Sequence, residues 1–239
     1  MRRLAIALLA STALVGSAAA ADIRAARPVY KAPMLAPVSV YNWTGFYIGG
    51  NVGYSWGQQD NSIDGASIGG TNLNGIIGGG QVGYNWQINQ IVFGLEADFQ
   101  GSGQKGDGSF TGAPGIIPAT TFTYTDKLDW FGTVRGRVGY AFDRWLPYVT
   151  GGWAYGHGTI GGAAAGGITG SGNVSNDYSG WALGGGLEYA FLNNWSAKLE
   201  YLHLDFGNGP SVTLAPSAAV LSGGKLRDDI VRVGLNYKF

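Results

Sequence analysis

The sequence predicts an all-β fold, an eight-stranded antiparallel up-and-down β-barrel, from three observations. From residue 41 onward, apolar residues alternate with polar or small ones at a period of two, which is the pattern of strands. The connectors between these segments alternate between short and long. The chain also holds 43 Gly, 8 Trp and 13 Tyr with 13% charged residues, a composition that disfavours helices, because glycine destabilises their interiors.

The N-terminus predicts export. Arg2 and Arg3 form a basic start, residues 4–16 are almost wholly apolar, and residues 17–21 are small. This order is that of a cleavable secretory signal peptide, which we assign to residues 1–21. Residues 22–40 contain three prolines and predict a flexible or partly extended periplasmic segment, followed by the barrel at 41–239. No later segment reaches the roughly 18 consecutive apolar residues of a transmembrane helix.

The alternating pattern divides the rest of the chain into eight segments. The predicted strands are residues 46–57, 74–87, 91–101, 127–142, 145–160, 179–191, 195–206 and 229–239. Short connectors are predicted at 88–90, 143–144 and 192–194, and long loops at 58–73, 102–126, 161–178 and 207–228. Short periplasmic turns and long extracellular loops are typical of a transmembrane barrel, and the even strand count puts both termini in the periplasm.

The alternation of charged and apolar residues along each predicted strand indicates which face points into the barrel and which points outward. In the third segment Phe93 and Leu95 lie opposite Glu96 and Asp98, and the other segments with charges follow the same rule. Alternation alone fits either a soluble barrel with its apolar face inside or a membrane barrel with its apolar face outside. The signal peptide, the large rings and the absence of charge on the apolar face favour a lipid-facing exterior and a polar lumen. The lumen set is Glu96, Asp98, Arg135, Arg137, Glu188, Lys198, Glu200 and Arg232. Because an eight-stranded barrel is just wide enough to be filled by side chains, four positive and four negative residues predict a salt-bridged plug. Around residues 202–204 the parity slips, which predicts a bulge near the rim.

No catalytic chemistry is predicted. Gly78, Gly80 and Gly83 match a dinucleotide-binding spacing, but inside a predicted strand with no helix after it. His157 and His203 have no acidic or cysteine companions at metal-binding spacing. The chain has no cysteine, and its net charge is zero, or 13 basic against 15 acidic residues without Arg2 and Arg3. We therefore expect no enzymatic activity, no cofactor, no metal and no nucleic-acid partner.

Several segments carry a resemblance to a known family. Residues 41–50, Tyr-Asn-Trp-Thr-Gly-Phe-Tyr-Ile-Gly-Gly, the Val-Gly-Tyr-x-Trp copies at 52–56 and 82–86, and residues 231–239 resemble the small alphaproteobacterial outer-membrane immunogenic proteins. This porin-like, RopB-type family implies an OmpA-like eight-stranded barrel in the cell outer membrane and surface antigenicity. The C-terminal face is similar to the signal by which the barrel-assembly machinery recognises such proteins, and it consists of Val233, Leu235, Tyr237 and Phe239.

These observations favour a non-enzymatic outer-membrane barrel with a structural, envelope-stabilising and surface-antigen role. Two alternatives stay open: a narrow porin-like channel for small solutes or ions, and an adhesin that contacts a host through its extracellular loops. The expected partners are outer-membrane lipid, lipopolysaccharide and the barrel-assembly machinery. The sequence leaves the oligomeric state open.

Overall fold

A computed structural model describes residues 41–63, 65–112, 120–167, 169–209, 211–214 and 219–239. Its strands are β1 Gly45–Ile63, β2 Ala66–Ile88, β3 Ile91–Thr111, β4 Thr120–Tyr140, β5 Trp145–Gly166, β6 Gly170–Ala190, β7 Trp195–Asn208, β8 Ser211–Leu214 and β9 Ala219–Lys238. The predicted signal peptide, residues 1–21, and the predicted periplasmic segment, residues 22–40, lie outside the described residues.

The long strands form a closed ring. Each pairs antiparallel with the next long strand along the chain, and β1 also pairs with β9 over most of its length. The four-residue β8 adds only a short hairpin to β9. Seven strands, β1 to β7, together with β9 therefore make the eight-stranded barrel that the sequence predicted. The described part of the chain contains no helix long and apolar enough to cross a membrane.

The two ends of the barrel differ. Its turn end carries three short connections, at Asn89–Gln90, residues 141–144 and residues 191–194, where short connectors were predicted. Asn89 and Asp143 have positive φ values of 56° and 52°, a conformation that asparagine and aspartate tolerate better than most residues. The other end, the hairpin end, carries the long connections.

The predicted long loops are wrong over much of their length, because the strands continue into them. β3 runs to Thr111 and β4 begins at Thr120, although residues 102–126 were predicted as a loop. A strand of 21 residues at about 3.3 Å per residue, tilted by about 40°, rises roughly 50 Å, about twice the apolar band of an outer-membrane barrel. The hairpin end therefore projects well beyond the membrane as paired strands.

The outer surface has an apolar band between two aromatic belts. The turn-end belt contains Phe46, Trp86, Phe93, Tyr140, Trp145, Trp195, Tyr237 and Phe239. The hairpin-end belt contains Tyr54, Trp56, Phe99, Trp130, Trp153, Trp181 and Tyr201. Along β1, the residues from Phe46 to Trp56 rise roughly 25–30 Å, which matches the hydrocarbon thickness. Beyond Trp56 the outer face of β1 becomes polar.

Candidate functional site: the filled barrel interior

The inner wall of the barrel gathers all eight ionisable residues that the sequence assigned to the lumen. Each is at most 4% exposed although it sits on an open-ended ring of strands. They come from five strands, β3, β4, β6, β7 and β9, in each of which alternate side chains point inward. Charges that lie far apart in the sequence thereby share one compartment.

Four of these residues form a closed cycle of ion pairs. Arg135 bonds Asp98 Oδ2 through Nη2 at 2.9 Å and Glu200 Oε1 through Nη1 at 3.0 Å. Arg232 bonds the same two carboxylates, Asp98 at 3.0 Å and Glu200 at 2.6 Å. Each carboxylate thus lies between two guanidinium groups, the forked donors best suited to carboxylates. Arg135 Nη2 also reaches Glu96 at 2.6 Å.

The remaining charges extend this cycle toward the turn end. Lys198 Nζ lies 2.9 Å from both carboxylate oxygens of Glu96, and Arg137 Nη1 lies 2.9 Å from Glu188 Oε2. Neutral donors complete the shell: Tyr47 to Glu96, Tyr148 to Glu200, and Ser196 and Asn236 to Glu188. Every ionisable group of the set has an opposite charge within reach, so the burial of eight charges is compensated.

Above this network, toward the hairpin end, a layer of apolar side chains shares the interior with a few buried polar residues, among them Ser55, Gln104 and Asp228, which are hydrogen-bonded to one another. The layer consists of Leu73, Ile77, Leu128, Phe131, Ala154, Tyr178, Ala182, Leu202, Leu204, Phe206, Leu226 and Ile230. It fills the ring at and beyond the hairpin-end belt. These apolar side chains oppose the passage of water and ions, because polar species lose part of their hydration beside them.

The predicted bulge at residues 202–204 is wrong. The pairing of β7 with β6 and β9 runs without a shift from Trp195 to Asp205. Inward positions continue from Lys198 and Glu200 to Leu202 and Leu204, all buried. What changes is the chemistry of the two faces, because the strand leaves the membrane there and its outer side meets water.

A segment just before β1 closes the turn end. Tyr41, Asn42 and Trp43, here called the mouth segment, cross the opening, and Trp43 is only 2% exposed. Its indole Nε1 donates to the carbonyl of Asp143 at 3.2 Å, and its backbone N–H donates to Gln87 Oε1 at 2.7 Å. The mouth segment is therefore tied to the end of β2 and to the short turn after β4.

Tyr41 ties the mouth segment to the third turn. Its hydroxyl donates to the carbonyl of Asn193 at 3.1 Å. Burial raises the pKa of the Tyr41 phenol, and the Glu188 carboxylate raises it further, against a lowering by Arg144, so the donor stays protonated at neutral pH. The sequence analysis placed Tyr41 and Trp43 at the start of a family motif and did not predict this closure.

Both histidines have acidic neighbours that their sequence spacing did not show. His157 Nδ1 lies 2.8 Å from Asp177, and His203 Nδ1 lies 2.8 Å from Asp229, each across a strand pair on the outer wall. No group of three or more potential metal ligands forms among the described residues. The two pairs lie beside the hairpin-end belt, and Asp229 also accepts from the Tyr201 hydroxyl at 2.6 Å.

The C-terminal residues Val233, Leu235 and Phe239 lie on the outer face of β9 or just after it, exposed toward lipid, and the ring of Tyr237 packs against Phe239. This is the single apolar face that the sequence assigned to the assembly signal. Recognition of this face by the assembly machinery stays a prediction.

An outer band of apolar and aromatic residues around a closed polar interior defines a membrane-embedded β-barrel, since closure leaves no unpaired backbone groups facing lipid. The chain belongs to the outer membrane protein beta-barrel domain family, whose model matches residues 6–239. It is an outer-membrane protein, as the family resemblance implied.

Individual relatives agree with this assignment. The chain is 42% identical to a 31 kDa outer-membrane immunogenic protein of Brucella melitensis, over 93% of this chain and 94% of the relative. It is 30% identical to a 25 kDa outer-membrane immunogenic protein of Brucella abortus over the full length of both. Among solved structures, the outer membrane protease OmpT from Escherichia coli matches with a TM-score of 0.56 at 10% identity, covering 82% of this chain and 97% of that one. This last likeness concerns the fold alone.

Proposed function

We propose that this protein is a non-conducting, non-enzymatic outer-membrane barrel that strengthens the envelope and presents its hairpin end as a surface antigen. The observation that carries the proposal is the filled interior. Three successive barriers lie along the barrel axis: the mouth segment, the ion-pair network and the apolar layer. A solute path would have to breach all three.

The same interior argues against catalysis there. Glu96 and Asp98 resemble an acid–base pair in the sequence, but each is bound by guanidinium or ammonium groups and is shielded from solvent. A general base needs a free lone pair within reach of a substrate. Both carboxylates instead act as acceptors in a structural network.

Single-channel recording tests the closed interior. The mature protein is inserted into planar bilayers, and heat-modifiable gel migration verifies that the same preparation holds folded barrels. We expect no stable openings from the wild-type chain, nor from a control with Leu199→Ala on the lipid-facing side of β7. Long-lived openings whose conductance changes in Arg135→Met or Arg232→Met would overturn the proposal in favour of the narrow channel.

The surface role rests on the orientation of the two ends, with turns toward the periplasm and hairpins outside. The relatives from Brucella are named immunogenic proteins, which agrees with an exposed hairpin end. Because the chain has no cysteine, single cysteines report accessibility cleanly. A membrane-impermeant maleimide should label Thr123→Cys on intact cells and Gln90→Cys only after permeabilisation. The reverse pattern would refute the orientation.

A further inference from the structure

Two lysines face each other on the outer wall beyond the hairpin-end belt. Lys105 on β3 and Lys127 on β4 are directly opposite in the strand register, and both are exposed. Neither takes part in a salt bridge with any described residue. Like charges directly opposite on neighbouring strands destabilise a sheet, so the barrel itself gains nothing from this pair. An anion from outside the chain would remove the repulsion.

The nearest carboxylates on the outer face of the same strands are held by hydroxyl groups. Asp107 accepts from Thr125 Oγ1 at 2.7 Å, and Asp129 accepts from Thr159 Oγ1 at 3.2 Å. Each lies two residues along its strand from a lysine, and neither pairs with one. The ammonium groups of the lysine pair are therefore available to a ligand.

The height of the pair points to the kind of anion. Lys127 lies three residues beyond Trp130, a ring of the hairpin-end belt that stacks on Phe99 with centroids 5.4 Å apart. At about 3.3 Å per residue and a tilt of about 40°, that is roughly 8 Å past the belt. Aromatic belts mark the membrane interface, so the lysines lie at the level of lipid headgroups.

A polar trough of about 370 Å³ begins at Lys127 and continues outward. Its floor is β5, where small residues such as Gly161 and Ala163 leave space between the neighbouring strands. Its walls carry hydroxyl and amide groups: Thr123 and Thr125 from β4, and Ser171 and Asn173 from β6. Short donors and acceptors around a shallow floor fit the hydroxyl groups of a sugar.

We propose that the lysine pair and the trough bind the phosphorylated saccharide headgroup of an outer-leaflet glycolipid. The phosphate lies between the ammonium groups of Lys105 and Lys127, and the sugars extend along β5. Charge-assisted hydrogen bonds to phosphate are among the strong ones, and lysines near anionic lipid add attraction. The inference rests on the part of the proposed function that puts the hairpin end outside the cell.

Equilibrium binding of a bisphosphorylated lipid A to the folded mature chain in detergent tests this site. Lys105→Gln with Lys127→Gln should weaken binding about 30-fold, the effect of two lysine charges at an anionic surface. The matched control is Lys225→Gln, an exposed lysine on β9, which should change binding less than threefold. Ala163→Trp, which fills the trough, should weaken lipid A binding but leave the weak binding of inorganic phosphate unchanged.

Equal binding by the double variant, or an equal loss in Lys225→Gln, would overturn the site. Undiminished binding of the phosphatase-treated glycolipid would also overturn it, as would inorganic phosphate binding as tightly as lipid A. Heat-modifiable migration shows that each variant is folded. Maleimide labelling of Thr123→Cys on intact cells separates the two proposals, because the glycolipid site can fail while the hairpin end still lies outside the cell.

Discussion

Arg135 is the residue whose removal should most disturb the interior. It contacts Glu96, Asp98 and Glu200, and Arg135→Met removes all three contacts while preserving much of the volume. Asp98 and Glu200 each retain Arg232, whereas Glu96 retains Lys198 at 2.9 Å and the more distant Arg232 and Arg137 at 3.7 and 4.0 Å. The balance of four positive and four negative lumen residues becomes an excess of one negative charge. Breaking a buried ion pair from one side costs about 3–5 kcal/mol, so we expect a loss of that size in the free energy of unfolding.

A double-mutant cycle shows whether this loss comes from the charge balance. Glu200→Gln alone leaves an excess positive charge and should also destabilise. Arg135→Met combined with Glu200→Gln restores equal numbers, so its cost should fall short of the sum of the single costs by about 1–3 kcal/mol. Urea unfolding in lipid vesicles, followed by tryptophan fluorescence, measures all four proteins. Val134→Ala, on the lipid-facing side of the same strand, is the control and should cost less than either.

Two outcomes would refute the reasoning. One is an Arg135→Met barrel whose unfolding free energy lies within about 1 kcal/mol of the wild type. Removal of the central cation from a compensated buried charge network is expected to cost more than that. The other is strict additivity in the cycle, because groups 3.0 Å apart in one network are expected to couple.

Two further predictions use neighbouring or equivalent residues as controls. A Cβ at Gly79 would lie 2.0 Å from the carbonyl oxygen of Phe99, so Gly79→Ala should prevent folding and abolish heat-modifiable gel migration. A Cβ at Gly78 would meet no atom closer than 3.6 Å, so Gly78→Ala should fold normally. Asp228 is buried without a salt bridge to any described residue, and its Oδ2 has no hydrogen-bond partner among them. Asp228→Asn should therefore leave the free energy of unfolding in urea unchanged or raise it. Asp98→Asn, which weakens two arginine contacts, should lower that free energy by about 2 kcal/mol or more. Equal losses in the two variants would contradict the distinction.

The sequence predicted the membrane part of the barrel well, because lipid outside and charge inside give the strongest possible contrast between alternate residues. Lys198 and Glu200 on β7 illustrate this, since Leu199 between them faces lipid. The eight lumen residues were found by parity alone, although their individual pairings were not. Which arginine meets which carboxylate depends on the stagger of neighbouring strands, and no local pattern encodes that stagger.

The projecting strands were mistaken for loops for a physical reason. Beyond the hairpin-end belt both the outer face and parts of the inner face carry Gly, Ser, Thr and Asn, so the apolar contrast between alternate residues is weak. β6 shows this at Gly170 and the residues after it, which pair with β5 through backbone hydrogen bonds. Those hydrogen bonds hold the strand whatever its side chains are, and side-chain periodicity cannot report them.

The mouth segment was missed because its contacts are made to distant turns. Trp43 bonds to groups 44 and 100 residues away in the chain. One signal was present: two large rings, Tyr41 and Trp43, precede the first strand and do not belong to either belt. Large aromatic side chains outside the regular pattern are expected to be buried against other residues. At the end of a barrel, the residues that line its opening can bury them.

Along β7, the inner face is charged where the outer face is apolar, and apolar where the outer face is polar. This pattern explains why so narrow a barrel has charges inside its membrane section, although an apolar interior would avoid the desolvation of those charges. Between the belts the outer face must be apolar. An apolar inner face as well would make each strand a continuous apolar run, prone to association before it reaches its membrane. Lys198 and Glu200 put charges on the inner face where the outer face contacts lipid. Leu202 and Leu204 put apolar side chains on the inner face where the outer face contacts water. On this argument the ion-pair network keeps the unfolded chain soluble as much as it fills the barrel. Arg135→Met with Glu200→Gln should then fold to a stable barrel but aggregate more than the wild type during refolding from urea, measured by light scattering. Equal scattering at equal final stability would show that the network serves the folded state alone.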